Sequence, residues 1–160
     1  MKIGDTVEDF ELPGTNGAFR LSAAADKIVV LYFYPKDDTP GCTIEGKDFS
    51  TLLDDFNAAD ALVYGISKDG IRSHEKFRAK FNYAHHLLAD EAAVLCERFG
   101  VIGEKSMFGK KYLGIVRGTF IIDGGGKLTH EWRDIKDVTG HAADVLKAVR
   151  KISQTTRRKK

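Results

Sequence analysis

A run of seven apolar residues, Ile28 to Tyr34, is followed at once by proline, a polar loop, a Pro-Gly turn and a cysteine. The run is β-branched and aromatic, the composition of a strand buried on both faces. Pro35 stops it, Pro40-Gly41 turns the chain, and Cys42 stands where a helix is predicted to begin. That order requires a central strand with layers on both sides and a thiol at one end of it. Backbone N–H groups of a helix's first turn have no partner within the helix, and the dipole is positive there. Both favour thiolate over thiol, and the thiolate is the nucleophilic form. Cys42 therefore reads as a reactive cysteine.

The remaining pattern alternates strands and helices. Pro13-Gly14-Thr15-Asn16-Gly17, between Phe10-Glu11-Leu12 and Ala18-Phe19-Arg20-Leu21, predicts a β-hairpin within residues 8–22. A helix from about Cys42 carries Phe49, Leu52, Leu53 and Phe56 on one face. Ala61 to Ser67 is a second buried strand, Ile71 to Phe81 a helix, and Leu87 to Ala89 a short strand. Asp90 reads as the N-cap of a helix that ends at Gly100. Residues 101–116, with three glycines, read as a loop. Thr119–Ile122 and Leu128–Trp132 are strands joined by an Asp-Gly turn. A last helix runs from about Val138 to Ile152, with Ala142, Val145, Leu146 and Val149 inward. This order implies an α/β protein with a mixed sheet.

At 160 residues, the chain reads as one domain over 1–152 with a basic tail over 153–160. Five basic residues and no acid lie in 151–160, and the plain reading of that stretch is a solvated terminus. The N-terminus lacks the apolar stretch of a signal peptide, and no run approaches the roughly 20 residues that span a bilayer. The expectation is a cytoplasmic protein, off the membrane, with nucleic acid an unlikely partner. Two cysteines cannot build a disulfide framework or a zinc site, and no Cys-x-x-Cys is present. No metal and no cofactor are expected. His85-His86 reads as two ordinary polar residues, because adjacent side chains point apart in an extended chain.

The spacing Pro35-x-x-x-Thr39-x-x-Cys42 resembles the active-site signature of the peroxiredoxins. The longer string from Tyr34 to Glu45 is similar to their PrxQ, or bacterioferritin comigratory protein, branch. A second stretch agrees, Phe99 to Asp123, with Arg117 inside Gly114-Ile115-Val116-Arg117-Gly118-Thr119-Phe120. The resemblance covers about Gly4 to Val149. It implies a thioredoxin-like fold with an N-terminal hairpin and a thiol-dependent peroxidase acting on hydrogen peroxide and organic hydroperoxides. By resemblance Cys42 is the peroxidatic sulfur, which becomes a sulfenic acid. Thr39 holds the peroxide, Pro35 walls the pocket, Arg117 donates to the peroxide oxygens and Glu45 orients Arg117.

The chain departs from the branch at its resolving cysteines. The two positions where relatives carry one are Lys47 and Arg78 here. An external thiol is then expected to recycle Cys42: thioredoxin, glutaredoxin with glutathione, or another. Cys96 falls on an apolar helix stripe with Ala92, Leu95 and Phe99, so it reads as a core residue; resolution by Cys96 after local unfolding is the alternative. A thiol–disulfide oxidoreductase using Cys42 alone, or a redox sensor, are readings of different kind. A monomer or weak homodimer is expected.

Overall fold

The computed structural model describes the backbone of residues 1–159 and the side chains through residue 155. At its centre is a five-stranded mixed sheet. β3 (Ile28–Phe33) lies in the middle, parallel to β4 (Ala61–Ser67) and antiparallel to β8 (Gly118–Ile122). β5 (His86–Ala89) and β9 (Leu128–Trp132) form the edges, giving the order β5-β4-β3-β8-β9. All six residues of β3 are buried, as its uninterrupted apolar run requires. The short hairpin β1 (Glu11–Leu12) and β2 (Phe19–Arg20) lies apart from this sheet, where the turn residues predict it.

Alternation along the strands divides the core in two. Val30, Tyr32 and Tyr34 join one cluster, whereas Val29, Leu31 and Phe33 join the other. The first face is covered by α1 (Pro40–Thr51), α2 (Leu53–Ala58), α3 (Ile71–Phe81) and α5 (His141–Lys159), through Phe49, Phe56, Phe77, Val145 and Val149. The second face is covered by the N-terminal segment and α4 (Val94–Arg98), through Phe19, Leu21, Leu95 and Phe99. Among the described residues, no helix is long and apolar enough to cross a membrane.

Four elements differ from the sequence reading. Residues 101–116 are not a loop: β6 (Ile102–Met107) and β7 (Lys110–Ile115) form a regular antiparallel hairpin. Its turn is Phe108-Gly109, both with positive φ (51° and 78°), the pairing that two-residue hairpin turns demand. The helix after Asp90 is only five residues long, because Ala93 is left-handed and takes the N-cap position in place of Asp90; the Asp90 carboxylate still accepts from the N–H of Leu95 (3.3 Å) and Cys96 (2.8 Å). The helix over Phe49 to Phe56 breaks at Leu52 into α1 and α2, yet both phenylalanines reach the same core. α5 begins later than expected, at His141, and continues through Lys159. The basic side chains from Arg157 to Lys160 lie outside the described residues.

His85 also departs from the reading as an ordinary polar residue. It is 1% exposed, stacks on Tyr83, and has Nε2 2.5 Å from the Tyr32 hydroxyl. Burial pushes its pKa down to about 3, so it is a neutral core ring at ordinary pH. His86 points away, as alternation predicts, and meets the Thr15 hydroxyl at 2.8 Å.

One helical glycine makes room for this region. A Cβ on Gly46 would fall 2.5 Å from the Tyr83 ring, whose hydroxyl donates to the Thr43 carbonyl at 2.9 Å. Glycine to alanine inside a helix ordinarily gains about 1 kcal/mol. Overpacking a filled site costs about 1–3 kcal/mol. Gly46→Ala is therefore predicted to destabilise the protein by about 1 kcal/mol, read as a lower urea midpoint at unchanged slope. A raised midpoint would show that Tyr83 moves freely out of the way.

Candidate active site

The loop between β3 and α1 is fixed by buried polar contacts. Tyr34 Oη donates to Asp37 Oδ1 at 2.6 Å, and Ser73 Oγ donates to Asp37 Oδ2 at 2.7 Å. His74 Nδ1 lies 2.8 Å from the same Oδ2. His74 Nε2 donates to the Leu88 carbonyl at 2.9 Å. The Asp37 N–H in turn donates to Asp69 Oδ2 at 2.9 Å. Since the Leu88 carbonyl only accepts, Nε2 carries a proton. This set ties the loop to α3 and β5. Sequence reasoning missed it; the one signal was a buried strand ending in Tyr34 with an acid three residues on.

Asp38 takes a left-handed conformation (φ 57°), tolerable for aspartate, and brings the chain to Thr39. Thr39 is the N-cap residue of α1, in extended conformation, and its carbonyl accepts the first helical bond, from Thr43 at 2.8 Å. Its hydroxyl does not cap the helix but donates to the Lys36 carbonyl at 2.9 Å, so it keeps its acceptor lone pairs. Pro35 is half-buried at the start of this loop. Pro40 opens the helix at its first position, where a missing N–H costs nothing.

Cys42 follows in the first turn, 2% exposed, its sulfur on the same core face as Phe49 and Tyr32. Arg117, between β7 and β8, comes to it from the other side. Arg117 Nη2 donates to Cys42 Sγ at 3.3 Å, and Nη1 donates to Glu45 Oε1 at 2.5 Å. The absence of a side chain at Gly41 permits this: a Cβ there would sit 3.1 Å from Nη2. Glu45 is 1% exposed, and its second oxygen, Oε2, has no hydrogen-bond partner among the described residues. Burial pushes the Glu45 carboxyl up to about 7, against the pull of the Arg117 guanidinium.

The predicted residues thus converge: Cys42, Arg117 and Glu45 touch, and Thr39 and Pro35 flank them on one loop. Cys96 does not join them. It is wholly buried in the opposite core cluster, with the central sheet between it and Cys42. Burial raises the Cys96 thiol pKa, and the Asp90 hydrogen bond and charge add to this. Lys47 lies over the Phe81 ring at 5.3 Å, and Arg78 donates to the carbonyls of His85 (2.9 Å) and Ala84 (3.3 Å). Neither meets Cys42. Among the described residues no group of acids, histidines and cysteines is arranged to hold a metal ion.

This geometry has counterparts in known proteins. Residues 3–131 match the model of the AhpC/TSA family. The chain is 46% identical over 146 residues to peroxiredoxin Bcp of Xanthomonas campestris, covering 88% of this chain and 89% of the relative. It is 43% identical over 155 residues to peroxiredoxin Bcp of Bacillus subtilis, covering 96% and 98%. Among solved structures, the bacterioferritin comigratory protein of X. campestris, described for its alkyl peroxide reduction activity, superposes with a TM-score of 0.85 at 42% identity, covering 93% of this chain and 99% of that one. The expected thioredoxin-like fold is the fold of these neighbours. With a matching family model over most of its length and relatives aligned nearly end to end, the chain belongs to the AhpC/TSA family, in the Bcp (PrxQ) branch of thiol peroxidases.

Proposed function

We propose that Cys42 is the sulfur that reduces hydroperoxides, with Arg117, Thr39 and Pro35 forming its pocket and Glu45 orienting Arg117. The observation that carries this is the contact between Arg117 Nη2 and Cys42 Sγ at the head of α1. The thiolate attacks one oxygen of the peroxide and the O–O bond breaks. Sulfur loses two electrons and becomes a sulfenic acid, and the departing oxygen takes a proton to leave as water or alcohol. Negative charge gathers on that departing oxygen. A guanidinium already fixed by a buried carboxylate needs no reorganisation to stabilise it. The Thr39 hydroxyl, with its acceptor side open, suits the protonated peroxide oxygen. Alkyl hydroperoxides as well as hydrogen peroxide are proposed as substrates, by likeness to the X. campestris protein.

Recycling is assigned to an external thiol, whether thioredoxin, glutaredoxin with glutathione, or another. Cys96 is a poor resolving group because the sheet lies between the two sulfurs, and a disulfide needs Cα atoms within about 7 Å. The protein is proposed to act in the cytoplasm as a single domain over residues 1–152, as a monomer or weak homodimer.

Intact mass after one equivalent of hydrogen peroxide tests the assignment. A gain of about sixteen mass units on Cys42, reversed by added thiol, is expected. A monomer two units lighter with a Cys42–Cys96 peptide would establish the two-cysteine cycle instead. In single-turnover kinetics Cys42→Ser is expected to abolish oxidation and Cys96→Ser to retain most of it. Equal loss in both would remove Cys42 from its role.

Arg117→Met keeps the bulk and deletes the donors. Loss of one such donor costs about a hundredfold in rate, and that is the slowing expected for peroxide reduction. An unchanged rate constant would take Arg117 out of the pocket.

The raised Glu45 pKa gives a pH signature. Below about 7 the carboxyl takes up a proton and its ion pair with Arg117 is lost. Glutamine at 45 cannot titrate. The ratio of wild-type to Glu45→Gln peroxide-reduction rates is therefore expected to be highest on the alkaline side and to decline as pH falls through about 7. A ratio constant across that range would show that Glu45 ionisation does not reach the sulfur.

A further inference from the structure

The peptide unit between Lys36 and Asp37 is hydrogen-bonded at both ends. Its N–H, which belongs to Asp37, donates to Asp69 Oδ2 at 2.9 Å. Its carbonyl, which belongs to Lys36, accepts from the Thr39 hydroxyl at 2.9 Å. Asp69, one peptide and Thr39 thus stand in a line that ends at the hydroxyl assigned to the peroxide. The peptide is planar, so its N–H and carbonyl turn together. Whatever fixes the N–H also aims the carbonyl.

Asp69 is itself held in place. It is half-buried just past the end of β4, and Ser67 Oγ donates to the same Oδ2 at 2.7 Å. The Asp69 N–H donates back to Ser67 Oγ at 3.1 Å, and Ser67 is fully buried. β4 lies beside β3, with Ile66 opposite Phe33, so the carboxylate is placed by the strand next to the one that feeds the loop. Tyr34, Ser73 and His74 fix the Asp37 side chain. Those contacts leave the peptide plane before Asp37 free to rotate between its two Cα atoms. The bond to Asp69 removes that freedom. A rotated plane would carry the Lys36 carbonyl away from Thr39, and the hydroxyl proton would swing toward the side where peroxide must bind.

Resting on the reading of Thr39 above, we propose that Asp69 is a positioning residue for peroxide reduction, acting on Thr39 through the Lys36–Asp37 peptide. It has two effects. The first is geometric: the Thr39 O–H is kept on the Lys36 carbonyl, and its lone pairs are kept open to the O–H of the hydroperoxide. The second is electronic. A carboxylate is a stronger acceptor than a neutral group. It draws on the N–H, which makes the carbonyl at the other end of the peptide a better acceptor. That carbonyl in turn draws on the Thr39 proton and leaves the Thr39 oxygen more negative. Hydrogen bonds aligned in this way strengthen one another. Asp69 touches neither the sulfur nor the peroxide in this role.

The test is a double-mutant cycle between residues 69 and 39, read by two reactions of Cys42. One is single-turnover oxidation by hydrogen peroxide. The other is alkylation by iodoacetamide, which reads the thiolate and its exposure but uses no hydroxyl at residue 39. Asp69→Ala is expected to slow oxidation about fivefold, the worth of one ordinary hydrogen bond, and to leave alkylation unchanged. Asp69→Asn keeps an acceptor oxygen and is expected to recover most of the loss. Thr39→Val is expected to slow oxidation about tenfold. Adding Asp69→Ala to Thr39→Val is expected to cost nothing more, since its route to the peroxide is already cut. Should Asp69→Ala not fold, Ser67→Ala, which deletes the hydroxyl that holds Oδ2, goes through the same cycle with the same expected pattern. A fivefold loss that persists in the Thr39→Val background overturns the proposal. So does an equal slowing of oxidation and alkylation, the mark of a merely loosened fold, and so does full oxidation rate in Asp69→Ala. Full oxidation rate in Thr39→Val alone would overturn the role of Thr39 and this proposal with it. Failure of wild type to oxidise at Cys42 would instead overturn the peroxidase reading itself.

Discussion

The buried ion pair between Glu45 and Arg117 locks together two segments that the pairing of Phe33 with Gly118 delivers to the same end of the central strand. Glu45 stands one turn into α1, and Arg117 follows the β6–β7 hairpin. Placing both charges out of water is costly, and their attraction offsets this only at close range. The pair therefore fixes the hairpin base against the head of the helix. It also leaves one guanidinium nitrogen for the sulfur. Geometry that would be unfavourable as a stability device becomes useful because the third partner is the reacting atom. The unpartnered Oε2 is a sign that the pair is not optimised for stability alone.

The sheet imposes a second constraint. Its alternating side chains assign each element to one of two cores, and the two cysteines fall on different sides. Cys42 shares its face with four helices, six buried aromatic rings and the polar contacts of Asp37. Cys96 shares its face with Leu95 and Phe99 and behaves as a small hydrophobe. One thiol is set over a cation and the other over an acid, so their chemistry separates before any substrate arrives.

Much of this was legible in the residues. Ile28–Tyr34 announced a central strand, and the Pro-Gly turn placed a cysteine at a helix head. Arg117 and Glu45 could be selected only through resemblance, since nothing in their local pattern distinguishes them from other charges. The β6–β7 hairpin was hidden because Phe108-Gly109 is an uncommon turn pair and the flanking strands are largely polar and exposed, which erases the hydrophobic period. His85 was hidden for a different reason: its burial depends on Tyr32 and Tyr83, brought to it by tertiary packing. The His74–Asp37 contact spans 37 residues and leaves no trace at either position taken alone.

That last contact has a mechanical meaning. Asp37 binds the loop of Pro35 and Thr39 to the first turn of α3, while Arg78 holds the last turn of the same helix to the carbonyls that precede β5. Loop and helix are thus riveted into one stiff plate. A disturbance that peels α3 from the sheet must drag the pocket wall with it, and a pocket that deforms must strain the helix. With Arg78 anchoring that helix, the plate is a frame for the pocket wall.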